Sequence, residues 1–470
     1  MRYLPYFEKI ANSRVIDRRR HSYYWNDITK YVNYFTHPDN SVLEIGCGTG
    51  ELLNEIKASR KAGIDYSPSM IAIAKKSYPG IEFKVMAAEE LKLDEKFDLI
   101  ILSNLIGFTD DIQQVFEKLQ SVCHERTKII VTYYNRAWEP FLKFAEFLGL
   151  KRKTPVQNWL SMSDIRNLLT LAGYEVFREN KRILLPFYIP VLSTLFNKYI
   201  AKLPLIKKMC LNSFSFARPV SDISAAEVSD KYSVSIVIPA RNESGNIENG
   251  LLRIPKFGKR QEIIFVEGNS TDDTWSKINE IRDKYKDSYN IVIAKQDGKG
   301  KYNAVRKGFD LATGDILMIL DADLTVPPED LTKFYNAIAT NKGDFINGCR
   351  LIYQMDKQAM RFLNMLGNKF FGMAFSWLLE QTYKDTLCGT KVIFTSDYHK
   401  LVKNRAYFGD FDPFGDFDLL FGAFKLNLKT IELPIRYRER TYGETNISRF
   451  RHGLILLKMC AFACRKIKFI

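Results

Sequence analysis

Asp321 and Asp323 stand one residue apart at the end of a short apolar run, Ile316-Leu317-Met318-Ile319-Leu320. The run has the composition of a strand buried on both faces. Open parallel sheets hold ligands at the carboxyl ends of their strands, so both acids are expected at the mouth of a crevice. Two carboxylates there can grip a hard divalent cation, Mg²⁺ or Mn²⁺, and that cation can clamp a diphosphate. Taken alone, an Asp-x-Asp closed by Pro327-Pro328 also reads as a polar turn. The flanking sequence has to decide.

A second group with chemical potential lies in the first half. Ser41–Ile45 is a buried strand that runs into a glycine-rich turn carrying Gly46, Gly48 and Gly50, and a helix begins at Glu51. Glycines let backbone approach a ligand closely and aim amides from a helix N-terminus. Asp65 ends the next short strand, 21 positions after Glu44 (65 − 44). An acid at that spacing suits ribose hydroxyls in a doubly wound sheet. Ser67-Pro68-Ser69 caps a helix through Lys76, and strands follow at Glu82–Met86 and Phe97–Leu102. A helix over 110–122 and a strand over Lys128–Tyr133 continue the alternation.

The second half repeats the pattern. Strands are expected at Val234–Pro239, Glu262–Val266 and Ile291–Ala294, ahead of the run that ends at Asp321. Lys299 and Lys301 open the intervening helix, where they serve either as solvated charges or as partners for a diphosphate. At 470 residues the chain fits two domains, and its 46% hydrophobic and 26% charged residues are ordinary for folded protein. No leader-like start or membrane-spanning run is evident, and the scattered cysteines suit a reducing cytoplasm. A formal charge of +15 arrives without any nucleic-acid signature. Phosphorylated substrates and an anionic membrane face are therefore the expected partners, and nucleic acid is not.

With its strand, glycine turn, acid and later strands, the stretch from Tyr23 to Val176 resembles the class I S-adenosylmethionine-dependent methyltransferases. The resemblance implies that Gly46, Gly48 and Gly50 line the methionine and ribose portions of S-adenosylmethionine, and that Asp65 binds the ribose hydroxyls. Ala88 and Glu89 would lie beside the adenine, and Ser103 and Asn104 would border the transfer site. The cofactor is a cation without phosphate, so an acid beside the loop, Glu44, makes electrostatic sense. The methyl acceptor is not readable.

The span from Tyr232 to Arg451 resembles family-two inverting glycosyltransferases of the GT-A fold, in particular the polyprenyl- or dolichyl-phosphate sugar synthase branch. By that resemblance Pro239, Arg241 and Glu243 line the pocket of a nucleotide-sugar donor, with Lys299 and Lys301 near its diphosphate. Glu267 would meet the base edge, Asp321 the ribose and metal, and Asp323 the metal. Two departures stand out. Glu267-Gly268-Asn269-Ser270 replaces the family's Asp-Asp-Gly-Ser, and Thr325 stands where several relatives carry glutamine. Asp418 or Asp416 would act as base or orient the acceptor, with Asp323 completing the catalytic set. Arg436, Arg438, Arg440 and Arg451 would receive an acceptor phosphate or the departing diphosphate.

The expected architecture is therefore α/β, with two doubly wound domains. Residues 1–218 would form a Rossmann-like methyltransferase domain with a helical cap and a basic apolar extension over 184–218. A linker over 219–231 leads to a glycosyltransferase domain at 232–452 and an amphipathic tail at 453–470. The expected activity is metal-dependent inverting glycosyl transfer to a polyprenyl-phosphate, glycan or metabolite acceptor, joined to methyl transfer. The setting would be cytoplasmic, with a peripheral contact at the membrane's inner face. The alternative is a glycosyltransferase whose methyltransferase fold serves only as a scaffold.

Overall fold

The computed structural model describes residues 2–149, 151–353, 362–403, 417–438, 440, 442 and 449–469. They divide into two compact units, one running to Val220 and the other from Ser221 to Lys468.

The first unit opens with helices α1 (Leu4–Arg20) and α2 (Ser22–Phe35). Strands and helices then alternate: β1 (Ser41–Ile45), α3 (Glu51–Glu55), β2 (Arg60–Asp65), α4 (Pro68–Ser77), β3 (Glu82–Val85), β4 (Phe97–Ser103), α5 (Ile112–Leu119) and β5 (Cys123–Tyr134). After these come α6 (Glu139–Phe147), α7 (Met162–Leu171), β6 (Tyr174–Arg182), a single turn α8 (Leu192–Thr194) and β7 (Asn212–Pro219). The sheet order is β3-β2-β1-β4-β5-β7-β6. Strands β1 to β5 are parallel, and β7 runs antiparallel between β5 and β6. Alternation along the strands covers both faces. Leu43, Ile45, Ile100, Leu102, Ile129 and Val131 share a core with Val115 and Phe116 of α5 and Ile165 and Leu169 of α7. On the opposite face Tyr31 and Phe35 of α2 meet Phe214 and Phe216 of β7, with ring centroids 4.8 and 5.1 Å apart.

Strand β7 takes up the last residues of the stretch expected as a basic apolar extension over 184–218. Its Asn-Ser-Phe-Ser-Phe alternation is a strand signal, but it follows an apolar basic stretch that masks it. Prolines 186, 190 and 204 bound the remainder of that stretch, which forms one irregular helical run over 192–202 and a short turn at Ile206–Met209.

In the second unit the order is β8 (Val234–Ala240), α9 (Ser244–Leu252), β9 (Gln261–Glu267), α10 (Thr274–Tyr285), β10 (Ile291–Lys295), α11 (Lys301–Leu311), β11 (Ile316–Ile319), α12 (Leu331–Ala339) and β12 (Phe345–Cys349). It continues with α13 (Phe362–Leu379), β13 (Lys391–Phe394), α14 (Thr395–Lys403), α15 (Phe417–Lys425), β14 (Thr430–Pro434) and α16 (Arg449–Ala463). The sheet runs β10-β9-β8-β11-β13-β12-β14. Strands β8 to β11 are parallel and β13 is antiparallel to both its neighbours. Ile236 and Ile238 join a core with Ile247, Leu251, Ile278, Ile281 and Phe334, so α9, α10 and α12 cover one face. Val237 points the other way, onto Gly308 of α11.

The expected amphipathic tail is used in part by its own unit. Leu456, Met459, Ala463 and Ile467 are buried, and α16 packs on α13. Among the described residues no helix is long and apolar enough to cross a membrane.

Gly308 brings α11 so close to β8 that a Cβ there would overlap Val237. Overpacking outweighs the gain in helix preference, so Gly308→Ala should destabilise the second unit by about 1–2 kcal/mol. Denaturant unfolding measures the loss.

Candidate active sites

In the first unit, the buried strand β1 delivers the chain to Gly46 beside the end of β4. Gly46, Gly48 and Gly50 have φ of 71°, 54° and 84°, the left-handed region that side chains resist. A Cβ at Gly46 would also stand 2.7 Å from Leu105. The Gly46 and Cys47 amides donate to the Ile64 carbonyl at 2.8 and 2.9 Å, which sews the turn to β2. Asp65, at the end of β2, accepts from the amides of Gly48 and Ser67, each at 2.9 Å. Burial nevertheless pushes its carboxyl up. Glu44 is 3% exposed, and its Oε2 has no hydrogen-bond partner. Burial raises this carboxyl to about 8; Glu51 and Asp65 push the same way and Arg18 opposes them. A buried acid half lacking partners suits a cationic ligand, so the pocket fits S-adenosylmethionine.

Helix α1 crosses this end of the sheet. Glu8 accepts from the hydroxyls of Ser67 and Ser69 and from the Ser69 amide at 3.2 Å. Phe7 sets its ring against Tyr66 after β2 and against Phe108 after β4, at 5.8 and 5.3 Å. Ala88 is buried in a single turn, and Glu89 accepts from the Asp110 amide at 3.0 Å. Ser103 ends β4, where its hydroxyl accepts from that of Thr132 at 3.4 Å. Asn104, at φ 52°, donates its side-chain amide to the Tyr24 hydroxyl at 2.9 Å, while its Oδ1 is buried without a partner. Asn104 lines a cleft with Tyr134, Gln157 and Trp159. No motif marks Tyr24 or Arg18 as site residues, because Tyr24 falls on the buried stripe of an ordinary packed helix.

In the second unit, the strand order reverses between β8 and β11, and the acids lie at that switch point. Asp321 pairs with Lys301 at 2.6 Å. Burial opposes its charge, but Lys301, with Lys391 and Arg350 farther away, holds the carboxyl below the usual range. Asp323 accepts from the amide and hydroxyl of Thr325 on one oxygen and from Arg440 at 2.6 Å on the other. Between them Leu324 has φ 53°, a strained conformation for leucine, and its side chain is clamped against Gly250. Arg440 also reaches Glu243 at 3.3 Å and so bridges two acids from different loops. Burial raises the Glu243 carboxyl to about 7, against Asn246 and Arg440.

The floor beneath Asp321 comes from a loop that also holds Asp385. Gly389 packs so tightly on the Asp321–Lys301 pair that a Cβ would overlap both. Arg350 grips Asp385 with two parallel bonds of 2.6 and 2.8 Å, and Lys391 donates to the Cys388 carbonyl. Cys388 is buried, its thiol pushed up to about 12, which removes it as a nucleophile. Arg350 carries no motif signal and was missed.

The other expected site residues are spread along the sheet and its loops. Pro239 pairs with Val266 inside the sheet, and Arg241 packs beside Gly268. Glu267 is buried, with its carboxylate turned onto the Ser270 amide of its own loop. Lys299 is exposed. Arg436 lies 5.7 Å over the Tyr353 ring, and Arg438 donates its backbone amide to the Thr325 carbonyl at 3.0 Å. Asp418 is buried against Arg306 at 3.1 Å, joining α15 to α11. Asp416 and the side chain of Arg451 lie outside the described residues. No cluster of three or more metal-ligating side chains occurs among the described residues. The donor set is Asp321 and Asp323, each faced by a cation. Mg²⁺ or Mn²⁺ could use this pair only if Lys301 and Arg440 swung away, with water and substrate phosphates completing its ligands.

Residues 16–179 match the family described as Methyltransferase domain, and residues 235–407 match Glycosyl transferase family 2. The second unit is similar to a dolichol-phosphate mannosyltransferase of Pyrococcus furiosus, 39% identical over 121 residues, or 25% of this chain and 33% of that protein. It is also similar to an undecaprenyl-phosphate 4-deoxy-4-formamido-L-arabinose transferase of Enterobacter, at 27% identity over 47% of this chain and 64% of that protein. The chain thus spans less than two thirds of either relative. Among solved structures, a SAM-dependent methyltransferase of Thermotoga maritima aligns at 19% identity and a TM-score of 0.37, covering 46% of this chain and 98% of that one. The chain joins a methyltransferase domain to a family 2 glycosyl transferase domain.

A carboxyl raised by folding keeps its proton where the unfolded chain has lost it. Stability of the ligand-free first unit should therefore fall as pH climbs from about 4.5 towards 8. Glu44→Gln should flatten that decline, stabilise the unit at pH 8 by about 1–3 kcal/mol and weaken S-adenosylmethionine binding about tenfold. Thermal melts across pH and calorimetric titration check both.

Proposed function

We propose that the second unit transfers a glycosyl group from a nucleoside diphosphate sugar to a polyprenyl-phosphate acceptor with inversion. The first unit, on the same reading, transfers a methyl group from S-adenosylmethionine. The observation that carries the sugar half is the meeting of Asp321 and Asp323 with Lys301 and Arg440 at the carboxyl edge of the sheet. The acceptor class is drawn from the relatives, whose names specify dolichol phosphate and undecaprenyl phosphate.

Charge accounting gives the mechanism. A lipid phosphate, with a second pKa of about 6, is largely ionised at neutral pH and attacks the anomeric carbon without a protein base. Asp418 then acts as a brace: its ion pair with Arg306 fixes α11, the helix that presents Lys301. Lys301 and Arg440 are placed to turn from the acids to the departing diphosphate, whose negative charge grows as the sugar leaves. Asp323 with Asp321 would hold Mg²⁺ or Mn²⁺, which when bound adds positive charge beside that diphosphate.

In the first unit, S-adenosylmethionine supplies a methyl group on a positively charged sulfur. Glu44 would offset that charge, the Gly46–Gly50 turn would admit the ligand's backbone-close portion, and Asp65 would accept from the ribose hydroxyls. Asn104, held by the Tyr24 hydroxyl, borders the acceptor cleft and would align what enters it. Transfer from a sulfonium depends chiefly on such alignment.

Asp323→Ala should lower sugar transfer by about 10²–10³-fold, with S-adenosylmethionine affinity unchanged by calorimetry. A screen of UDP-, GDP- and dTDP-sugars with polyprenyl phosphate and Mg²⁺ or Mn²⁺ supplies the assay. No turnover with any donor would overturn the sugar half, and no S-adenosylmethionine binding would reduce the first unit to a scaffold.

A further inference from the structure

Helix α6 and the segment before β7 carry exposed apolar side chains that neither site uses. On α6, Phe141, Phe144 and Phe147 face solvent, Phe147 at 81%. On the segment, Val191, Leu205 and Met209 do so, the first two at 77% and 79%. The two pieces adjoin. The Trp138 indole N–H donates to the Met209 carbonyl at 2.7 Å, and the Asn135 side chain donates to the carbonyls of Lys208 and Cys210 at 3.0 and 2.8 Å. Folded proteins seldom leave so many large apolar side chains in water on adjoining segments without a partner.

The charge pattern identifies the partner. No Asp or Glu stands between Glu179 and Asp222, while Lys198 and Lys208 are exposed beside the apolar side chains. The two acids of α6, Glu139 and Glu146, are paired with Lys143 and Lys151. Aromatic side chains ringed by lysines, with acids absent or neutralised, match the headgroup layer of an anionic bilayer. We infer that this face of the first unit docks on an anionic lipid surface.

Position gives the docking a purpose. The cleft wall runs through Tyr133 and Tyr134, leaves by Asn135 into α6, and returns at Gln157, just after exposed Val156. The apolar face is thus an excursion of the cleft wall itself. A bilayer against it would meet chain that continues directly into the cleft wall.

The test floats the full chain with phosphatidylcholine vesicles, with and without phosphatidylglycerol. The wild-type chain should bind, and more strongly when phosphatidylglycerol is present. A double variant, Phe144→Glu with Phe147→Glu, should lose vesicle binding about tenfold or more while S-adenosylmethionine affinity stays unchanged, which shows that the unit is folded. Lys198→Glu with Lys208→Glu should abolish the preference for phosphatidylglycerol. Wild-type chain that stays in solution, or a phenylalanine variant that floats as well as wild type, overturns the inference. So does ultracentrifugation in which the same variant splits a dimer of a chain that ignores vesicles. None of these outcomes bears on sugar transfer.

Discussion

A carboxylate withdrawn from water must be met by positive charge or surrender its own, and both candidate sites follow from how that demand is answered. The second unit answers from within. Lys301, Arg440, Arg350 and Arg306 meet Asp321, Asp323, Asp385 and Asp418 in turn. These pairs tie α11, α15 and the loop ahead of β13 into one charged framework around the end of β11. The first unit leaves its demand open. Glu44 keeps an oxygen without a partner and holds its proton to about pH 8. A ligand of the second site has to redirect cations already engaged, whereas a ligand of the first brings the missing charge with it.

That contrast sets how each site can meet a ligand. Internal cations beside Asp321 and Asp323 offset the cost of burying those acids when no ligand is present. They are also the groups best placed to receive phosphate, since guanidinium and ammonium suit phosphate as well as carboxylate. The strained Leu324 and the tight Gly389 contact leave little latitude in the loop that bears the acids. The site is rigid where it holds acids, and its adaptable parts are the long basic side chains.

What was legible in the sequence was local. The apolar run before Asp321, the glycine turn after β1 and Asp65 at the end of β2 each declare themselves within a few residues. The alternation of strands and helices follows from the same short-range patterns. What escaped was made by long closures. Arg440 reaches Glu243 across nearly half the chain, Arg350 finds Asp385 across the whole of α13, and Tyr24 meets Asn104 only because α2 folds back on the sheet. Strand β7 escaped for another reason, since the apolar stretch before it hides where one pattern stops and the next begins. The roles given to Glu267 and Asp418 rested on family position, and the structure turns both carboxylates towards partners in their own unit.

One feature of the first sheet bears on how the chain is made. Its last strand in the chain, β7, is an interior strand lying between β5 and β6. While the polypeptide leaves the ribosome, β5 exposes an unpaired edge and β6 has nothing to pair with until Pro219 emerges. Exposed edges of that kind invite mispairing. The nascent first unit therefore cannot close early and must be held or shielded until nearly all of it has been synthesised.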